Sequence, residues 1–97
     1  MTERDVQAAI MTWLRKQPDT FAVKFAAGPY TLTGVPDILV CVAGRFLALE
    51  VKWQKGRTTP IQRIRLDEIT AAGGRAHVVR SLSEAQAAWK ELHSDSD

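Results

Sequence analysis

Two short apolar runs constrain this chain most: Ile38-Leu39-Val40-Cys41-Val42 and Phe46-Leu47-Ala48-Leu49. Ala43-Gly44-Arg45 separates them, and the acids Asp37 and Glu50 bracket the pair. Apolar runs of this length around a Gly turn read as two strands of one hairpin, which rules out an all-helical fold. The first run is apolar on both faces, as expected for a central strand covered by helices. In a strand, side chains two apart leave the same face, so Glu50 and Lys52 share one. An antiparallel hairpin then brings Asp37 beside them.

The flanking segments read as helices and two further strands. Thr2 and Asp5 form an N-terminal capping pair for a helix carrying Val6, Ile10, Trp13 and Leu14, with Gln17 still at helical spacing and Pro18-Asp19 as its stop. Phe21 to Phe25 reads as a strand, followed by a Gly/Pro loop to Pro36, and Asp37 to Val42 as the next. Thr59 caps a helix that starts at Pro60, with Gln62 at the reciprocal capping position; Ile61, Ile64, Ile69 and Ala72 supply its expected buried stripe. Gly73-Gly74 ends it, and Arg75 to Arg80 forms a fourth strand. Ser81 or Ser83 caps a last helix with Leu82, Ala85, Trp89 and Leu92, and the tail Ser94-Asp95-Ser96-Asp97 is expected to fray. The order α-β-β-β-α-β-α predicts an α/β fold with a mixed central sheet flanked by helices.

At 97 residues the chain is expected to be one domain, 1–97. It has no apolar stretch long enough for a membrane span and no secretory signal, which predicts a cytoplasmic protein. Cys41, the lone cysteine, is expected to be a buried thiol. His77 and His93 lack companions at zinc-ligand spacing, so a strand-face position and a frayed helix end are expected for them. Trp13 and Trp89 read as core anchors, while Trp53 stacks on a base, packs in a dimer interface (the favoured reading) or covers the metal loop. The net charge of +2 says little, but Lys52, Lys55, Arg57, Arg63 and Arg65 crowd together after Glu50, with Lys24 and Arg45 as further cations. A positive rim around an acidic site suits a phosphate backbone; a solvated charged face is the alternative.

Asp37, Glu50 and Lys52 together point to metal-assisted phosphodiester hydrolysis. Asp37 and Glu50 would hold Mg²⁺ or Mn²⁺ through hard carboxylate oxygens, with the Val51 carbonyl as a further ligand. Lys52 would orient water and stabilise developing negative charge. The bland alternatives are a turn acid at 37 and a Glu50–Lys52 ion pair. Gln62 either caps its helix or holds water beside Lys52. Glu3 either reaches the metal from the first helix or is a solvated first-turn acid. Lys24, Lys55, Arg57 and Arg63 are the candidate phosphate contacts, which would position DNA rather than read bases.

The ordered pieces Thr2-Glu3-Arg4-Asp5-Val6-Gln7, Gly34-Val35-Pro36-Asp37, Leu49-Glu50-Val51-Lys52, Gly56 to Gln62, Ala72-Gly73-Gly74 and Val78-Val79-Arg80-Ser81 resemble the VRR-NUC family. That family is a branch of the PD-(D/E)xK nucleases, related in fold to archaeal Holliday-junction resolvases. The resemblance covers nearly the whole chain and implies a restriction-endonuclease-like sheet. It implies Glu3, Asp37 and Glu50 as metal-site acids, Lys52 as catalytic lysine and Gln62 as a supporting polar residue. The family name echoes Val-Arg-Arg, whereas this chain reads Val79-Arg80-Ser81, so no family role passes to Arg80. A stand-alone, phage-type, homodimeric DNA endonuclease acting on branched DNA is the reading implied. A non-catalytic DNA-binding or scaffolding module is its rival.

Overall fold

The computed structural model describes residues 1–95. Its elements are α1 (Glu3–Leu14), β1 (Thr20–Lys24), β2 (Ile38–Val42), β3 (Arg45–Val51), α2 (Pro60–Ala71), β4 (Arg75–Val79) and α3 (Leu82–Ser94), in the expected order. The four-stranded sheet runs β1-β2-β3-β4. β1–β2 and β2–β3 pair antiparallel, and β3–β4 pair parallel across the α2 crossover. Among the described residues no helix is long and apolar enough to cross a membrane.

Local chemistry sets the element ends. Thr2 Oγ1 accepts from the Asp5 N–H while Asp5 Oδ2 accepts from the Thr2 N–H, a closed capping box that starts α1 at Glu3. Thr59 and Gln62 make the same reciprocal pair ahead of Pro60. Ser81, rather than Ser83, caps α3. The β2–β3 hairpin turns through Ala43 and Gly44, both at positive φ, as a tight turn matched to strand twist requires.

One face of the sheet is dry. Ile38, Val40 and Val42 lie in register with Leu49, Leu47 and Arg45, and the apolar members pack with Val51 and Val79 against Val6, Ile10, Met11 and Leu14 of α1 and Ala85, Ala88, Trp89 and Leu92 of α3. Trp13 meets Trp89 edge to face at 5.4 Å, and Trp89 Nε1 donates to Thr20 Oγ1 at 2.8 Å. Trp53 packs on the rim of this core.

The opposite face is covered only in part, which corrects two expectations, and three more are corrected at helix ends. Cys41 is exposed rather than buried, because its side of β2 has no helix over it. α2 leans on β4 and buries Leu66 alone, leaving Ile61 and Ile69 half-buried and Ile64 and Ala72 exposed. α1 ends at Leu14, before Gln17, whose side chain instead donates back to the Trp13 carbonyl. His93 is not at a frayed end: its ring stacks on Trp89 at 4.5 Å and lies 3.3 Å from Asp19. Asp95 caps α3 and pairs with Arg75, and the rest of the expected frayed tail, residues 96 and 97, lies outside the described residues.

The long loop between β1 and β2 delivers Asp37 and is pinned to α2. Arg65 Nε donates to the Thr33 carbonyl at 2.9 Å, and Gly34 sits at φ +77 with a would-be Cβ 3.0 Å from the Ile61 backbone. A side chain there meets both left-handed strain and immovable backbone. Gly34→Ala should therefore cost about 2 kcal/mol or more in urea unfolding, whereas Gly28→Ala, with nothing within 4 Å, should cost little. Equal losses at both positions would remove this account of the loop.

Candidate active site

The β2–β3 register pairs Ile38 with Leu49; carried one step outward, it sets Asp37 opposite Glu50. Two observations close that step. The Phe25 N–H donates to the Asp37 carbonyl at 2.8 Å, extending the β1–β2 ladder, and the Val51 N–H donates to Asp37 Oδ2 at 2.8 Å. The Asp37 side chain is thus fixed against the end of β3. Glu50 and Lys52 leave the same face two residues apart, and Lys52 Nζ lies 3.7 Å from Glu50 Oε2. The Lys52 N–H donates to the Val79 carbonyl, so β4 holds the strand end from the other side.

Glu50 is the unusual group. Its side chain is only 2 % exposed, and Oε1 is buried with no hydrogen-bond partner among the described residues. Burial pushes its carboxyl up from an ordinary value of 4.5 to about 8. A hydrogen bond with Asp37 and the Asp37 charge push the same way, Lys52 pulls down, and Glu3 adds a small upward push. Two facing carboxyls with an unpartnered buried oxygen form an electrostatically incomplete site. Adding a divalent cation would complete it, since ionised carboxylates are what a hard cation takes as ligands. Mg²⁺ is commonly held by one or two protein carboxylates with water and substrate phosphate filling the rest, a donor set that Asp37 and Glu50 match.

The remaining expected site residues divide. Glu3 is half-buried at the first position of α1 and its charge is felt at Glu50. Among the described residues, however, no three His, Cys, Asp or Glu side chains gather as a metal-holding cluster, so Glu3 stands apart from the Asp37–Glu50 pair. Gln62 has its carbonyl oxygen committed to the Thr59 N–H, the capping alternative. Lys24, Lys55 and Arg57 are exposed and make no ion pair among the described residues. Arg63 is exposed but pairs with Asp67 along α2 at 3.2 Å. Arg65, one of the cations that crowd after Glu50, is held by Glu68 and the Thr33 carbonyl.

Two residues gain roles that sequence reading did not assign. Arg80 Nη1 donates to both the Gln54 and Gly56 carbonyls at 2.7 Å, tying down the turn that follows Lys52. That turn needs a fastener, because Gln54 adopts φ +53. Gln7 is buried one helical turn after Glu3, and both line an open cleft of about 550 Å³ with Thr2, Arg4 and Lys24. The Glu3-x-x-x-Gln7 spacing was the available signal for Gln7. Arg80 had none beyond the imperfect Val-Arg match.

A mixed sheet thus carries Asp37, Glu50 and Lys52 together at one strand end. Solved structures agree on the fold. A VRR_NUC domain protein matches with a TM-score of 0.75 at 24% identity, over 93% of this chain and 89% of that one. A second VRR_NUC domain matches with 0.73 at 21%, over 90% and 94%. Hjc of Archaeoglobus fulgidus, a Holliday junction resolvase from an archaeal hyperthermophile, matches with 0.60 at 21%, over 80% and 67%. This chain has the VRR_NUC domain fold. No family model matches it, and no curated protein does.

Proposed function

We propose that this chain is a VRR-NUC-type, Mg²⁺- or Mn²⁺-dependent DNA endonuclease that hydrolyses phosphodiester bonds, with branched DNA as its preferred substrate. The observation that carries the reading is the Asp37–Glu50 pair, set opposite one another with a buried oxygen that has no hydrogen-bond partner among the described residues and Lys52 alongside. Asp37 and Glu50 would hold the metal, with the Val51 carbonyl as a further ligand and Glu3 acting on it through its charge. The bound ion supplies positive charge that polarises a phosphoryl oxygen and makes water more acidic. Lys52, only 12 % exposed, stabilises the charge that develops on the phosphate and orients the attacking water. Lys24, Lys55 and Arg57 hold flanking phosphates, and Arg63 joins them only by giving up Asp67. Arg80 keeps the Lys52 turn in place while DNA is bound.

Assembly as a homodimer belongs to the same reading. The open side of the β1–β2 sheet exposes Phe21, Val23, Cys41 and Phe46, apolar surface that a second copy would cover. Two-fold symmetry would set two cutting centres on related strands.

Linear, flap and four-way DNA incubated with Mg²⁺, Mn²⁺ or EDTA should be cut only where metal is free, with branched forms cut fastest. Metal-independent binding without any cutting would instead favour a scaffolding module with a nuclease fold. Cutting that survives EDTA would remove the mechanism. Light scattering should return the mass of two chains, and one-chain mass at high concentration would remove the dimer.

A further inference from the structure

Tyr30 is 99% exposed, the most exposed large apolar side chain among the described residues. A single exposed aromatic on a surface needs no explanation in itself. Its setting does. The Thr31 N–H donates to the Gly28 carbonyl, closing a four-residue turn with Pro29 and Tyr30 at the centre. Thr31 Oγ1 bonds the same glycine twice more, accepting from its N–H at 2.8 Å and donating to its carbonyl at 2.9 Å. Pro29 fixes its own φ at the position where turns favour proline. The ring therefore stands on a stiff support while burying nothing.

The support is attached to the site. The loop carrying Tyr30 is closed at its foot by the Phe25–Asp37 bond, so its far end is the proposed metal-holding aspartate itself. Arg65 and the Gly34–Ile61 approach clamp the same foot to α2. Leu32 lines an apolar crevice with Val35, Pro36, Leu39 and Phe46, which leaves Tyr30 as the ring directed away from the protein. Lys24 precedes the loop, and Lys55 and Arg57 precede α2.

We infer that Tyr30 is a base-stacking residue that selects DNA containing an unstacked base. This rests on the nuclease reading and deepens it by naming the feature of the substrate that is sensed. Cations that hold the backbone, combined with an aromatic face presented to bases, are the recurrent solution for single-stranded nucleic acid. In intact duplex both faces of each base are already stacked on neighbours, and the ring finds no partner. At a flap, a gap or a branch point one face is free. A tyrosine ring on a proline-stiffened turn loses little freedom on stacking, so the contact adds affinity for the branched form alone.

The test uses flap DNA with 2-aminopurine at the junction, matched linear duplex, and the full-length protein with Tyr30→Ala and Tyr30→Phe. In EDTA, the natural protein and Tyr30→Phe should quench 2-aminopurine, whereas Tyr30→Ala should not. Tyr30→Ala should bind the flap about 5- to 100-fold more weakly with duplex affinity unchanged. In Mg²⁺ its flap-to-linear cleavage ratio should fall by the same factor, while linear cutting holds. Folding is not at stake for a side chain this exposed. Unchanged discrimination in Tyr30→Ala overturns the inference and leaves the nuclease reading standing. Conversion of a dimer to monomer by Tyr30→Ala also overturns it, by placing the ring in a protein interface. A natural protein that neither binds nor cuts any DNA fails both, and does so before a variant is made.

Discussion

An Asp37→Asn protein is expected to fold normally and to lose metal-dependent cleavage by roughly 10³-fold or more, since a metal's electrostatic contribution of several kcal/mol disappears with a ligand. Asparagine is the informative substitution because Asp37 has two separable jobs. Its Oδ2 accepts the Val51 N–H at 2.8 Å, which an amide carbonyl can also do. Its negative charge faces Glu50, which an amide cannot replace. Asp37→Ala removes both, leaving a partly buried N–H without its partner at a cost of about 1–3 kcal/mol, so activity and stability fall together. The comparison needs single-turnover cleavage with Mg²⁺ and urea unfolding on all three proteins. If Asp37→Asn retained a tenth of the natural rate, the aspartate would be a structural clamp on β3 and not a ligand.

The central strands were readable because strand periodicity leaves little choice. Once Asp37 and Glu50 bracket a hairpin turning at Ala43-Gly44, alternation puts Glu50 and Lys52 on one face, and the register does the rest. Both capping boxes were readable for a similar reason, since Thr59-Pro60 and Gln62 permit few other local arrangements. Helix rotation was not. α2 contains three isoleucines and one leucine on overlapping faces, and only packing decides that Leu66 goes inside while Ile64 faces out. The same ambiguity hid Cys41, because a strand apolar on both sides does not reveal which side its helix leaves bare.

Arg65 and Arg80 illustrate a different limit. Both bind backbone carbonyls, at Thr33 and at Gln54 with Gly56, and a carbonyl acceptor leaves no mark in residue identity. His93 was within reach, standing four residues after Trp89 on one helix, a spacing that brings side chains together. Glu3 was placed on the right helix, yet whether it reaches the acidic pair depends on how α1 is rolled against β1 and β3. That roll is fixed by the burial of Val6, Ile10 and Leu14, not by the acid.

Glu50→Gln should make the metal-free protein more stable, with a gain that grows between about pH 5 and pH 8. The natural carboxyl is held near 8 in the fold against an ordinary 4.5. Across that interval the folded chain keeps a proton that the unfolded chain has released. Stability therefore falls as pH rises through the window, and levels off above the folded value. Below the lower value both states are protonated and the penalty is absent. The full loss is at most roughly 5 kcal/mol, since holding one proton across a tenfold change in its concentration corresponds to about 1.4 kcal/mol. Glutamine has nearly the same shape and never ionises, so its curve should be flat over this range apart from the lost attraction to Lys52 at 3.7 Å. On the proposed reading Mg²⁺ should reverse the comparison, because a cation held at this site would stabilise the ionised carboxylate of the folded chain. Saturating Mg²⁺ should thus remove the decline in the natural protein, with release of a proton, and leave Glu50→Gln almost unmoved. Urea midpoints from pH 5 to 9, with and without Mg²⁺, decide the matter. Parallel curves for the two proteins would show that the buried carboxyl at 50 does not carry the pH dependence of this fold.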